Sequence, residues 1–184
     1  MTEPWGPIAV MGVSGAGKST VGERLAAALG AEYADGDAFH PPANVAKMAA
    51  GVPLDDADRW PWLDLVAAWL ADHAEQPDGP RNSPRGVVAC SALTRAYRDR
   101  LRAKVPALLF IELDVPRGEL LRRLTTRSGH FMGAQLLDSQ LATLQPLAPD
   151  EPGARIDATG DIDRVVERAI RATAGGWTPD TLCP

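Results

Sequence analysis

Continuous apolar runs alternate along the chain with stretches that repeat their apolar residues every three or four positions. Ile8-Ala9-Val10-Met11 opens the series, and it predicts a strand over residues 8–12 buried on both faces. From Lys18 to Leu29 the apolar positions fall at Val21, Leu25, Ala28 and Leu29, a helical spacing. Glu32 to Ala34 lead into Asp35 as a short second strand. Gly86 to Ser91 form a third, Leu108 to Leu113 a fourth and Ala154 to Asp157 a fifth. Residues 61–75 place Trp62, Leu65, Val66, Trp69 and Leu70 on one helical stripe, and a helix over 94–104 follows the third strand. Residues 116–127 carry Leu120, Leu121 and Leu124. Residues 161–173 carry Ile162, Val165, Val166, Ala169 and Ile170 behind Asp161, a suitable N-cap. This alternation predicts one α/β domain over residues 1–184, a five-stranded parallel sheet flanked by helices. Right-handed crossovers bring the strand C-termini to one edge, where functional residues are expected. Residues 76–85 read as a polar surface loop and 174–184 as a loose tail.

Gly12-Val13-Ser14-Gly15-Ala16-Gly17-Lys18-Ser19 lies between the first strand and the first helix. It is a complete G-x-x-x-x-G-K-[ST] loop in its proper context. Gly12, Gly15 and Gly17 let the backbone, with Ser14, Ala16 and Thr20, wrap closely around phosphate oxygens. The helix N-terminus offers free N–H groups and positive dipole. Lys18 reaches β- and γ-phosphates and Ser19 ligates Mg²⁺. The loop predicts a bound nucleoside triphosphate and leaves the phosphate acceptor open.

The net charge of −5 argues against broad nucleic-acid or acidic-membrane binding. Cys90 and Cys183 make no disulfide framework, and Cys90, in a strand pattern, reads as a buried small hydrophobe. The N-terminus lacks the features of a signal peptide, and no apolar run approaches the roughly 20 residues of a membrane span. A cytoplasmic location is expected.

Asp35-Gly36-Asp37 follows the second strand, where two carboxylates would face the γ-phosphate. One can help hold Mg²⁺ and the other accept the proton of an attacking hydroxyl. Arg59 can present its planar fork to a carboxylate; a local Asp–Arg pair at an acidic helix cap is the alternative. Ser91 ends the third strand where a motor or GTPase would carry an Asp, which weakens those readings. Arg95, Arg98 and Arg102 share a helix face that would ordinarily be solvated. Arg123 and Arg127 lie one turn apart before a glycine break and suit a lid, one over the base and one stabilising the transferring phosphoryl group.

With these pieces assembled, the chain resembles gluconokinases, small P-loop kinases related to shikimate and adenylate kinases. The stretches that carry the resemblance are Asp35 to Pro41, Asn44 to Met48, Gly51 to Leu54, Asp58 to Leu63, Cys90 to Leu93, Tyr97 to Asp99, His130 to Met132 and Ser139-Gln140. It implies a P-loop kinase fold with a mobile lid over about 123–140, and ATP-dependent phosphorylation of D-gluconate to 6-phosphogluconate. It implies Lys18, Asp37 and Arg127 as catalytic residues, and Ser19 and Asp35 at the metal. Arg59 and Arg98 would hold the substrate carboxylate, with His40, Lys47 and His130 as further substrate contacts. Arg123 and Arg127 match lid arginines over ATP. A homodimer is implied as well. Ala57 departs from a family run of acids, and Gln145 to Glu151 from the usual Glu-Pro version. A kinase of another small hydroxy acid such as shikimate, or a non-catalytic ATP-binding module, remains open at this point.

Overall fold

The computed structural model describes residues 6–74, 86–128 and 132–174, and of residues 127–128 and 132–134 the backbone alone. Five strands, β1 (Ile8–Met11), β2 (Glu32–Asp35), β3 (Gly86–Ala89), β4 (Leu109–Asp114) and β5 (Gly153–Asp157), form a sheet in the order β2-β3-β1-β4-β5. Every neighbouring pair is parallel. The phosphate loop therefore leaves the central strand, with the ends of β3 and β4 on either side.

Alternation along β1 explains the two cores. Ile8 and Val10 face one layer with Val21, Leu25, Leu120 and Val165. Ala9 and Met11 face the other with Trp62, Leu63, Val66 and Leu101. Helices α1 (Lys18–Leu29) and α7 (Ile162–Ala174) pack together, and α3 (Asp56–Asp72) packs on α4 (Arg95–Lys104). Asp161 receives the Asp163 N–H at 2.9 Å, as a cap should. The expected strands and helices are present within one to two residues at most ends.

Three differences bear on function. Helix α3 begins at Asp56, five residues before the expected start at Pro61, which lies inside the helix. The start is set by a capping box: Asp58 N–H donates to Asp55 Oδ1 at 3.0 Å, and Asp55 N–H to Asp58 Oδ2 at 3.1 Å. Pro61 is the weaker signal there, because a proline within the second turn forfeits one hydrogen bond without stopping the helix. Two helices were not predicted, α2 (Pro42–Ala49) and α6 (Met132–Thr143). α2 buries only Asn44 and leaves Val45 and Met48 exposed; α6 buries Leu137 but exposes Leu136. Neither has a clean apolar stripe. The segment expected as a lid comprises the end of α5 (Arg117–Ser128) and most of α6.

Candidate active site

The phosphate loop has the backbone its sequence demands. Gly12, Gly15 and Gly17 take φ values of 147°, 81° and 97°, which cost residues with a Cβ. Gly17 stands at the N-cap of α1 with no side chain closing the helix end. The N–H groups of Gly15, Gly17, Lys18, Ser19 and Thr20 have no protein partner among the described residues, so they are available to an anion. Half-buried Lys18 donates from Nζ to the Val13 carbonyl at 3.2 Å. Burial pulls its pKa down, and the nearby charges of Asp37 and Asp35 oppose the shift.

Ser19 Oγ donates to Asp35 Oδ2 at 3.0 Å. The other carboxylate oxygen accepts the Asp37 N–H at 3.0 Å, so Asp35 caps the single 3₁₀ turn Gly36–Phe39. A Cβ on Gly36 would lie 2.5 Å from the Ala89 carbonyl oxygen, so only glycine lets this turn sit against the end of β3. One hydroxyl and one carboxylate form a hard-oxygen pair of the kind Mg²⁺ takes when phosphates and water supply the rest.

The same turn projects Asp37 into solvent, its side chain 87% exposed. Behind it, His40 is 5% exposed and stacks on Trp62 at 4.4 Å between centroids, 13° between planes. Asn44 Nδ2, a donor only, lies 3.2 Å from His40 Nδ1. Nδ1 must therefore accept, which leaves the proton on Nε2, 3.9 Å from Asp37 Oδ1. Burial lowers the His40 pKa; Asp37 opposes that and Arg59 adds to it. A neutral imidazole thus turns its N–H toward Asp37. Trp62 is itself fixed by Nε1 donating to the Gly36 carbonyl at 2.7 Å.

Arg59 donates from one terminal nitrogen to Tyr97 Oη at 3.0 Å, and the Tyr97 hydroxyl donates to Asp56 Oδ1 at 2.6 Å. Asp56 also lies 3.8 Å from Arg59. The rest of the guanidinium has no hydrogen-bond partner among the described residues. Asp37, His40 and Arg59 thus form a group across from Lys18, Ser19 and Asp35.

Two expected substrate contacts are held elsewhere. Arg98 is fully buried: Nε and one terminal nitrogen grip Glu151 at 2.6 and 2.7 Å, and the other donates to the carbonyls of Ala92 and Gln145 at 3.2 and 2.9 Å. The expectation that it holds a substrate carboxylate is corrected, since Glu151 already has that place. Ala92, at φ 41°, turns the chain out of β3 so that its carbonyl meets Arg98. Lys47 is tied to both oxygens of Asp58 at 2.6 and 2.7 Å, an ion pair that joins α2 to the cap of α3. Arg123 spreads its fork over Glu119, the Ala16 carbonyl at 3.2 Å and the Ala158 carbonyl at 2.8 Å. It lines a cavity of about 290 Å³ with Gly15, Thr20, Gly160 and Ile162, beside the phosphate loop. The Arg127 side chain and His130 lie outside the described residues.

Known proteins share the sequence and fold of this chain. The shikimate kinase family matches residues 14–135. Gluconokinase of Gluconobacter oxydans is 48% identical over 164 residues, 89% of each chain. The chain belongs to the gluconokinase family. Thermosensitive gluconokinase of Escherichia coli is 40% identical over 89% of this chain and 84% of that protein. A crystal structure of a gluconokinase from Sinorhizobium meliloti superposes with a TM-score of 0.81 at 41% identity, over 95% of this chain and 94% of that one. Within this gluconokinase-family chain, the substitution at Ala57 leaves the capping box of Asp55 and Asp58 whole. Gln145 places its side-chain carbonyl on the Arg95 N–H at 2.7 Å, a new staple for the divergent loop. Cys90 is a core thiol whose pKa burial pushes up to about 12, the small buried hydrophobe expected. Sequence reading missed Asn44, which sets the His40 tautomer, and the Asp56–Tyr97 support under Arg59. The four-residue spacing from His40 to Asn44 was the available signal for the first.

Proposed function

We propose that the protein transfers the γ-phosphoryl group of ATP to the primary hydroxyl of D-gluconate, giving 6-phospho-D-gluconate and ADP. The observation that carries the reading is the 3₁₀ turn after β2, which puts Asp35 on Ser19 and Asp37 two residues further on beside His40, whose ring feels the charges of both Asp37 and Arg59. Arg59 binds the carboxylate of gluconate through its free N–H groups. Asp37 accepts the proton of the 6-hydroxyl as that oxygen attacks γ-phosphorus, and the bond to the bridging oxygen breaks to release ADP. His40 turns its Nε2–H toward Asp37 from 3.9 Å. Lys18 and the loop N–H groups meet the β- and γ-phosphate oxygens, and the cavity beside Arg123 receives the base. Mg²⁺, held by Ser19 and Asp35, would neutralise charge on the β- and γ-oxygens. Arg127 stabilises the transferring group, and His130 belongs to the acceptor side. A homodimer is the accompanying expectation, resting on the resemblance, and a cytoplasmic location one resting on the sequence; sedimentation velocity tests the dimer.

The relatives' gluconokinase activity supports the choice of acceptor. Purified protein with Mg-ATP, offered gluconate, shikimate and nucleoside monophosphates in turn, should release ADP with gluconate. Turnover of another acceptor with gluconate untouched rejects the reading.

A further inference from the structure

Gln140, near the end of α6, reaches the phosphate loop: its side-chain carbonyl accepts the Ser14 N–H at 2.6 Å. That N–H belongs to the Val13–Ser14 peptide, whose carbonyl accepts from Lys18 Nζ at 3.2 Å and from the Ala16 N–H at 3.2 Å. A trans peptide is one rigid plane with its N–H and C=O on opposite edges. Gln140 grips one edge and Lys18 is attached to the other. Were the plane to turn over, the Val13 oxygen would face the Gln140 oxygen and the Ser14 N–H would face an ammonium, both repulsive. The side chain thus fixes which way this peptide lies. It takes the Ser14 N–H only, and the loop N–H groups from Gly17 to Thr20 stay open to phosphate.

We propose that Gln140 is a positioning residue for phosphoryl transfer: through the Val13–Ser14 peptide it holds the Lys18 ammonium in place and ties α6 to the phosphate loop. The proposal rests on the ATP-binding reading above. Its test needs no acceptor. Isothermal titration calorimetry with Mg²⁺ and the non-hydrolysable analogue AMP-PNP is run on wild type, Gln140→Met, Lys18→Ala and the double variant. Methionine keeps the length and helix propensity of glutamine but cannot accept the Ser14 N–H well. Gln140→Met should weaken binding roughly tenfold where Lys18 is present, the worth of one hydrogen bond. It should weaken binding less than about twofold where Lys18 is already alanine, because both changes act through one path. An equal loss in both backgrounds makes Gln140 a mere brace and overturns the proposal, as does no loss at all. Gln140→Asn, which withdraws the amide by one methylene, repeats the cycle if the methionine variant does not fold. Failure of the wild type to phosphorylate gluconate would sink the proposed substrate and leave this cycle readable.

Discussion

His40 is an aromatic side chain wedged between a tryptophan and an asparagine donor, and protonation at Nδ1 would set two donors face to face. Its pKa is lowered from the ordinary 6.5, chiefly by burial. Below that pH the unfolded chain takes up a proton that the folded one resists, so stability falls as pH drops through and below about 6.5. Urea unfolding from pH 8 to 5 should show this loss, and His40→Gln should flatten it. A wild-type curve that stays level would remove His40 from a neutral, buried role. Asp37 has the opposite character, exposed and free to meet substrate. Asp37→Asn should lower kcat by about 10²–10⁴ while AMP-PNP binding survives. Arg59→Ala should raise the gluconate KM roughly tenfold to a hundredfold and leave the ATP KM near wild type. An equal loss for both substrates would move Arg59 to the nucleotide side.

Elements are joined here by ion pairs of two kinds. Lys47–Asp58 joins α2 to the start of α3 at the surface. Arg98–Glu151 joins α4 to the loop before β5 inside the protein, with both side chains essentially inaccessible. Cutting a buried pair leaves one charge stranded, at a cost of about 3–5 kcal/mol, whereas a surface pair contributes about 0–1 kcal/mol. Arg98→Ala should therefore reduce unfolding free energy by about 3–5 kcal/mol in urea titrations. A folded Arg98→Ala variant of normal stability and raised gluconate KM would return Arg98 to the substrate. The cap of α3 matters in the same way: it sets the helix register that places Arg59 one turn in, above Tyr97.

Across the whole molecule, the parallel strands and the phosphate loop were legible because buried parallel strands are continuous apolar runs and the loop motif is local. Asp35, Asp37 and Ser19 could be paired from topology, since both segments end at the same sheet edge. The fate of Arg98 could not be read, because Glu151 lies 53 positions away and nothing in the α4 pattern distinguishes a buried arginine from a solvated one. Helices α2 and α6 escaped for want of an apolar stripe, and with them Asn44 and Gln140. On the proposed function, ATP binding links folding to the ligand. Saturation at about 100 times Kd should add about 2.7 kcal/mol, a rise in Tm of several degrees in a scan with Mg-ATP. The most direct measurement is phosphorus NMR of the product formed from Mg-ATP and gluconate. The result predicted is a phosphate monoester coupled to the two protons of one methylene group, the mark of a primary 6-phosphate. An ester coupled to a single proton, or ATP lost only as inorganic phosphate, would contradict the account.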